Sequence, residues 1–200
     1  MKNLKTYVTS CLACLVISIF IVSKANASSN FSDEPILIPN AGMVLAQAFF
    51  VKCFERLGLL EHIKFKSSDS QRKAVYYLQY FATGQAVWDD QHLELNKLLC
   101  GFLPTEPIEE KIEITSTEKN MTDSVIEAMI MYWPAIGSTS IARFRGDWLC
   151  REGTLTEEKD SWRLVVETRP YDSLLNKVPF SFSIINFPWM PKPIHVTWRY

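Results

Sequence analysis

Glycine is scarce in this chain, with seven among 200 residues. Gly58, Gly84, Gly101 and Gly153 fall where helical periodicity stops, which leaves little material for a glycine-rich phosphate cradle. No G-x-S-x-G, G-x-G-x-x-G, Walker loop or H-E-x-x-H occurs. Histidine is rarer still. His62, His92 and His195 stand apart, and none has a His, Cys or carboxylate at i+3 or i+4, as helical metal ligands would. Net charge is also nearly missing, at −1, so the composition gives no electrostatic case for nucleic acid or an anionic membrane surface. Ser116-Thr117-Glu118-Lys119 is formally an S-x-x-K, but the S-D-N and K-T-G elements that accompany it in serine hydrolases are absent. The sequon Asn120-Met121-Thr122 falls inside a predicted helix. No catalytic residue, metal ligand or cofactor site is expected.

Paired cysteines are lacking as well. Cys11 and Cys14 lie in an apolar leader, and Cys53, Cys100 and Cys150 remain as an odd set at spacings that match no metal site. Each sits beside Leu, Phe or Trp and reads as a small buried hydrophobe. What the chain does have is aromatic weight: 12% of residues, including six Trp and twelve Phe. That load favours a well-packed core or an adhesive interface over disorder.

The first 27 residues stand apart. A basic start, an apolar run over residues 11–22 and the small-x-small site Ala25-Asn26-Ala27 form the layout of a secretory signal peptide. The other readings are an uncleaved anchor, although the run is shorter than the ~20 residues a membrane span needs, and a misassigned start. Cleavage would leave Ser28 as the first residue. Residues 28–35 read as a polar linker, and residues 36–200 as one domain.

That domain divides by period. Ile36-Leu37-Ile38 reads as a strand, with Asn40 as cap for a helix over 41–57 that ends at Gly58. Further helices are expected from about 69 to Gly84, 90 to 100 and 139 to 151, and one is expected from the Thr115/Glu118 capping box to Trp133. Ile108 to Ile114 alternates like an edge strand. After Gly153 the period falls to two: 154–156 and 162–166, then 180–185, then 194–198. The expected class is α+β, with about five helices followed by a small antiparallel sheet near the C-terminus. The predicted core holds Phe50, Phe54, Leu78, Phe81, Ile126, Ile130, Trp148, Leu164 and Trp198.

Two segments suit binding. In Phe187-Pro188-Trp189-Met190-Pro191-Lys192-Pro193 the prolines favour an extended conformation from which Trp189 and Met190 project, either into the core or towards a partner. Arg169-Pro170-Tyr171-Asp172 has the same two readings: Arg169 and Asp172 fix Tyr171 within the domain, or all three face a partner.

Short, distinct phrases are spread along the domain from Ile36 to Trp198. They include Ile38-Pro39-Asn40-Ala41-Gly42, Phe54-Glu55-Arg56-Leu57-Gly58-Leu59-Leu60, Gln71-Arg72-Lys73-Ala74-Val75 and Leu78-Gln79-Tyr80-Phe81-Ala82-Thr83-Gly84. Leu95-Asn96-Lys97-Leu98-Leu99-Cys100-Gly101, Trp148-Leu149-Cys150-Arg151-Glu152-Gly153 and the two binding segments complete the set. Together they resemble the C-terminal domain of contractile injection system tape measure proteins. The resemblance implies a non-enzymatic assembly role and protein partners: tube, baseplate hub or spike of a phage-tail-like particle. It implies no cofactor and no nucleic acid, and membrane contact only through an uncleaved leader. In that family a long helical region fills the tube and sets its length. Residues 28–35 leave no room for one here, so a truncated gene or a stand-alone domain is expected. The leader points to export, and the family points to assembly in the cytoplasm.

Overall fold

The computed structural model describes residues 34–85, 92–108 and 112–200. The leader over 1–27 and the linker up to residue 33 lie outside the described residues. Among those described, no helix is long and apolar enough to cross a membrane.

Helices and a mixed sheet make an α+β fold. The five-stranded sheet has the order β1 (Ile36–Ile38), β4 (Gly153–Glu157), β5 (Trp162–Val166), β7 (Ile194–Thr197), β6 (Ile184–Ile185). A separate two-stranded ribbon pairs β2 (Leu60–Glu61) with β3 (Lys64–Phe65). The expectation of an antiparallel sheet confined to the C-terminal part is corrected twice. The opening strand β1 occupies one edge, antiparallel to β4, with Ile38 opposite Gly153. β5 and β7 run parallel, with Leu164 opposite Val196. Period-two alternation places side chains on faces but carries no information about strand direction. Here the connection over 167–193 returns the chain to the starting end of β5, and that return sets the direction.

The strand expected over 180–185 shrinks to the two residues of β6. Its first half goes to packing: Phe180 meets Phe49 edge-on at 5.3 Å and Phe182 meets Trp198 at 5.8 Å. The Ser181 carbonyl accepts from Gln47 Nε2 at 2.7 Å, not from a neighbouring strand. Ile108 and residues 112–114 are not in a strand, and 109–111 lie outside the described residues.

The helices follow the apolar stripes closely, with local departures. Residues 41–57 divide into a fully buried 3-10 turn, Ala41–Ala46, and α1, Gln47–Arg56. Gly42 explains the tight entry: a Cβ there would stand 1.8 Å from the Trp148 carbonyl oxygen. α2, Ser68–Thr83, is capped by Ser67, whose hydroxyl accepts from Ser70 N–H at 3.1 Å. It stops at Gly84 in the left-handed region, φ 71°. α3, Glu94–Leu99, is short and buried on every side. α4, Ser116–Tyr132, begins with the expected capping box: Thr115 N–H donates to Glu118 at 2.8 Å, and Glu118 N–H donates to the Thr115 hydroxyl at 3.3 Å. The last helix opens as α5, Ile141–Phe144, and widens into a π turn, Arg145–Leu149. Of the predicted core residues, all but Ile130 are buried, and Ile130 packs half-buried against the rest.

α2 and α4 are joined by polar contacts that make stability depend on pH. The Tyr77 hydroxyl donates to Glu118, and that of Tyr80 to Asp123 at 3.2 Å. Burial first, and then the Glu118 carboxylate, push the Tyr77 phenol upward. Burial also pushes Glu118 up, but the bonds from Tyr77 and Thr115 outweigh it and leave the carboxyl below its ordinary value. A carboxyl lowered by folding stabilises above its unfolded pKa of about 4.3 and loses that contribution as pH falls through the folded value. Glu118→Gln, which keeps a capping side chain, should therefore melt below the parent near neutrality. The two melting temperatures should converge in acid. A gap that stayed constant from neutrality to about pH 3 would contradict this role for Glu118.

Candidate functional site

The candidate binding residues of the sequence gather at two junctions, and a third joins residues that were not singled out for binding. The first is built around Arg151, which is fully buried together with Asp172. Arg151 Nη2 donates to Asp172 Oδ1 at 2.6 Å and Nη1 to Oδ2 at 3.3 Å, a bidentate pair. Nε donates to the Asp147 carbonyl at 2.6 Å. The guanidinium lies 5.5, 5.1 and 5.4 Å from the ring centres of Trp148, Tyr171 and Trp198. Such desolvated cation–π contacts strengthen the hold on the charge. Asp172 Oδ2 also accepts from Trp198 Nε1 and from Arg169 N–H, each at 2.9 Å.

Arg169 and Tyr171 close the π turn. Its last carbonyls have no partner within the helix. Arg169 Nη1 donates to Gly146 O at 3.1 Å, and the Tyr171 hydroxyl donates to Asp147 O at 3.3 Å. Arg169 and Tyr171 are half-buried, and Tyr171 lines a cleft of about 360 Å³ with Ser138, Thr139, Arg143, Asp147 and Leu174. The Arg169-Tyr171-Asp172 segment thus combines a wholly internal carboxylate with two side chains that reach the surface.

At the second junction, Trp189 Nε1 donates to the Leu99 carbonyl at 2.9 Å, and its ring lies 4.8 Å from that of Phe65 and 5.2 Å from that of Phe187. Met190 is mostly buried, and its sulfur accepts from Phe187 N–H at 3.4 Å. Gly101, at φ 87°, leaves space for the Trp189 carbonyl, which would meet a Cβ at 2.5 Å. Gln71 Nε2 closes the corner by donating to Cys100 O at 2.8 Å.

The third junction was not foreseen. Asn40 is the residue before the 3-10 turn, yet its side chain makes no cap bond. Instead, Asn40 Nδ2 donates to Asn96 Oδ1 at 2.8 Å and to Gln79 Oε1 at 3.2 Å. Asn96 returns a bond to Gln79 at 3.1 Å. Three phrases far apart in sequence are pinned together by amides. Arg151 was missed for a similar reason: an arginine next to a glutamate reads as surface, and only the fold brings Asp172 to it.

The cysteines beside these junctions and in the core are held as thiols. Burial pushes the Cys53 thiol up to about 12, and Cys100 and Cys150 are also raised by burial, so none offers a thiolate near neutrality. Among the described residues, no group of three or more His, Cys, Asp or Glu is placed to hold a metal ion. The arrangement is suited to holding connections rigid.

The family model described as "Contractile injection system tape measure protein" matches residues 20–198. No curated protein and no solved structure matches the chain.

Proposed function

Because the chain belongs to the contractile injection system tape measure protein family, whose members are structural, we propose that it is a non-enzymatic assembly domain. Its partner in this reading is the tube, baseplate hub or spike of a phage-tail-like particle. One observation carries the reading beyond the family. The ordered phrases are spent on the Arg151, Trp189 and Asn40 junctions, which lock the connections of one domain and leave its surface to partners. Arg169, Tyr171 and Trp189, which reach the surface from those junctions, are the residues proposed to meet a partner, with Asp172 and Met190 as their internal supports. Among the described residues the longest helix is α4, 17 residues, or ~25 Å at 1.5 Å per residue. Measuring a tube is therefore not the proposed role of the described domain.

The rival reading, an exported envelope-binding module, is favoured by the leader over residues 1–27. One experiment addresses both. The chain is expressed with separately tagged tube, hub and spike proteins, and each fraction is tested by co-purification and N-terminal sequencing. The particle reading expects cytoplasmic chain held by one of the three. A free Ser28 end in the exported fraction, with none of the three retained, would replace it with the envelope module.

A further inference from the structure

β1 is an edge of the five-stranded sheet, and among the described residues only β4 pairs with it. Soluble proteins blunt such edges with charges, prolines or bulges, because unpaired N–H and C=O groups template a further strand. Ile36–Ile38 carries no charge and no proline, and Leu37 is 79% exposed on it. Pro35 and Pro39 bound the segment, so the bonding edge is confined to three residues.

Two clefts flank that short edge. One, of about 370 Å³, is lined by Ile36, Leu103, Pro104 and Trp162 together with the carboxylates of Glu34 and Glu157. The other, of about 280 Å³, is lined by Leu37, Ile38, Pro39 and His92 together with Glu152. Among the described residues, neither lining includes Lys or Arg. Lys192 meets Glu157 at 2.7 Å, so among the described residues that line the clefts the remaining acidic charge is that of Glu34 and Glu152. Leu103, 54% exposed, adds apolar surface at the larger cleft.

We propose that the free edge of β1 is a docking site for an extended segment of a partner protein, which adds as a strand beside Ile36–Ile38. Main-chain bonds supply the ladder. An apolar side chain of the guest enters the cleft between Ile36 and Trp162, the basic side chain next to it points to the other face, towards Glu152, and one at the end of the guest strand reaches Glu34. The guest is a basic segment with apolar and charged residues in alternation. This inference rests on the sheet edge and its charge, and it holds for either compartment considered above.

The test uses the full chain and a short, end-capped, fluorescent peptide alternating lysine and valine. A peptide alternating glutamate and valine is the control. Fluorescence anisotropy should show binding of the lysine peptide alone, weakening as salt rises. The double variant Glu34→Lys/Glu152→Lys should lose about tenfold or more in affinity. Leu37→Pro, which removes an edge N–H, should abolish binding while its melting temperature shows that the domain still folds. Should Leu37→Pro unfold the domain, slowed hydrogen exchange at the β1 amides on adding peptide to the parent chain takes its place. Equal binding of both peptides, or unchanged exchange in β1, would overturn the proposal. Dimerisation of the free chain that Leu37→Lys abolishes would also overturn it, by making a second copy the occupant.

Discussion

Asp172→Ala should be among the most damaging single changes in the domain, costing about 3–5 kcal/mol of an expected total near 5–15. The carboxylate compensates a guanidinium with no exposed surface, and it also receives Trp198 Nε1 and Arg169 N–H. Removing it leaves a buried cation and two donors unpartnered at once. For a domain of this size the melting temperature should fall by roughly 10 °C, as read by circular dichroism. The double variant Arg151→Met/Asp172→Leu separates charge from packing. With both ions gone, no lone charge remains buried, and the double change should be milder than Asp172→Ala alone. If the double variant proved worse, the pair would be contributing more than mutual neutralisation. If Asp172→Ala melted like the parent, the junction would not be a structural support.

The second large effect is expected at Phe54. Its ring is almost fully buried and lies 6.2 Å from Phe50, 5.7 Å from Phe65 and 6.2 Å from Trp189, so it joins α1 to the β2–β3 ribbon and to the segment before β7. Phe54→Ala removes that contact and leaves a cavity that the surrounding rings only partly fill, at a cost of about 3–5 kcal/mol. Trp189 gives a local reading of the same event, since its ring packs on Phe54 and is held by the Leu99 carbonyl. Both the denaturation midpoint and the tryptophan emission should therefore change. A variant with parental stability would mean that the stripe through Phe50, Cys53 and Phe54 does not face the core.

Much of this architecture could be read from local chemistry because local chemistry decides it. The Thr115/Glu118 spacing produced the capping box, Gly84 ended α2, and the alternation over 162–166 placed Trp162, Leu164 and Val166 inward. The failures share a different cause. The β2–β3 turn is made by His62 at φ 57°, where Asn-Gly or Asp-Gly would have announced it. The direction of β7 is set by its connection, which periodicity does not see. The widening of α5 into a π turn has no signature in Arg145-Gly146-Asp147-Trp148-Leu149, and it places the carbonyls that Arg169 and Tyr171 hold. At the candidate site, Arg169, Tyr171, Asp172, Trp189 and Met190 were conspicuous as residue types in short phrases. Asn40 was legible only as a helix cap, and the roles of Arg151, Gln79 and Asn96 are set by tertiary contacts that bury them wholly or, for Gln79, in part.

The position of β7 also fixes an order of events during translation. The β1–β4 and β4–β5 pairings are both made within residues 36–166. The far side of β5 stays open until residues 194–197 leave the ribosome, because β7 stands between β5 and β6. Asp172 and Arg151 emerge before Trp198, so the pair must wait, partly wetted, for the indole that completes its enclosure. Until residues 194–198 have emerged, the nascent domain therefore carries an open strand edge at β5 and lacks the indole over Arg151. Such intermediates invite premature association. The cover of β5 by β7 and the closure of Trp198 over Arg151 are complete only once residues 194–198 have been made.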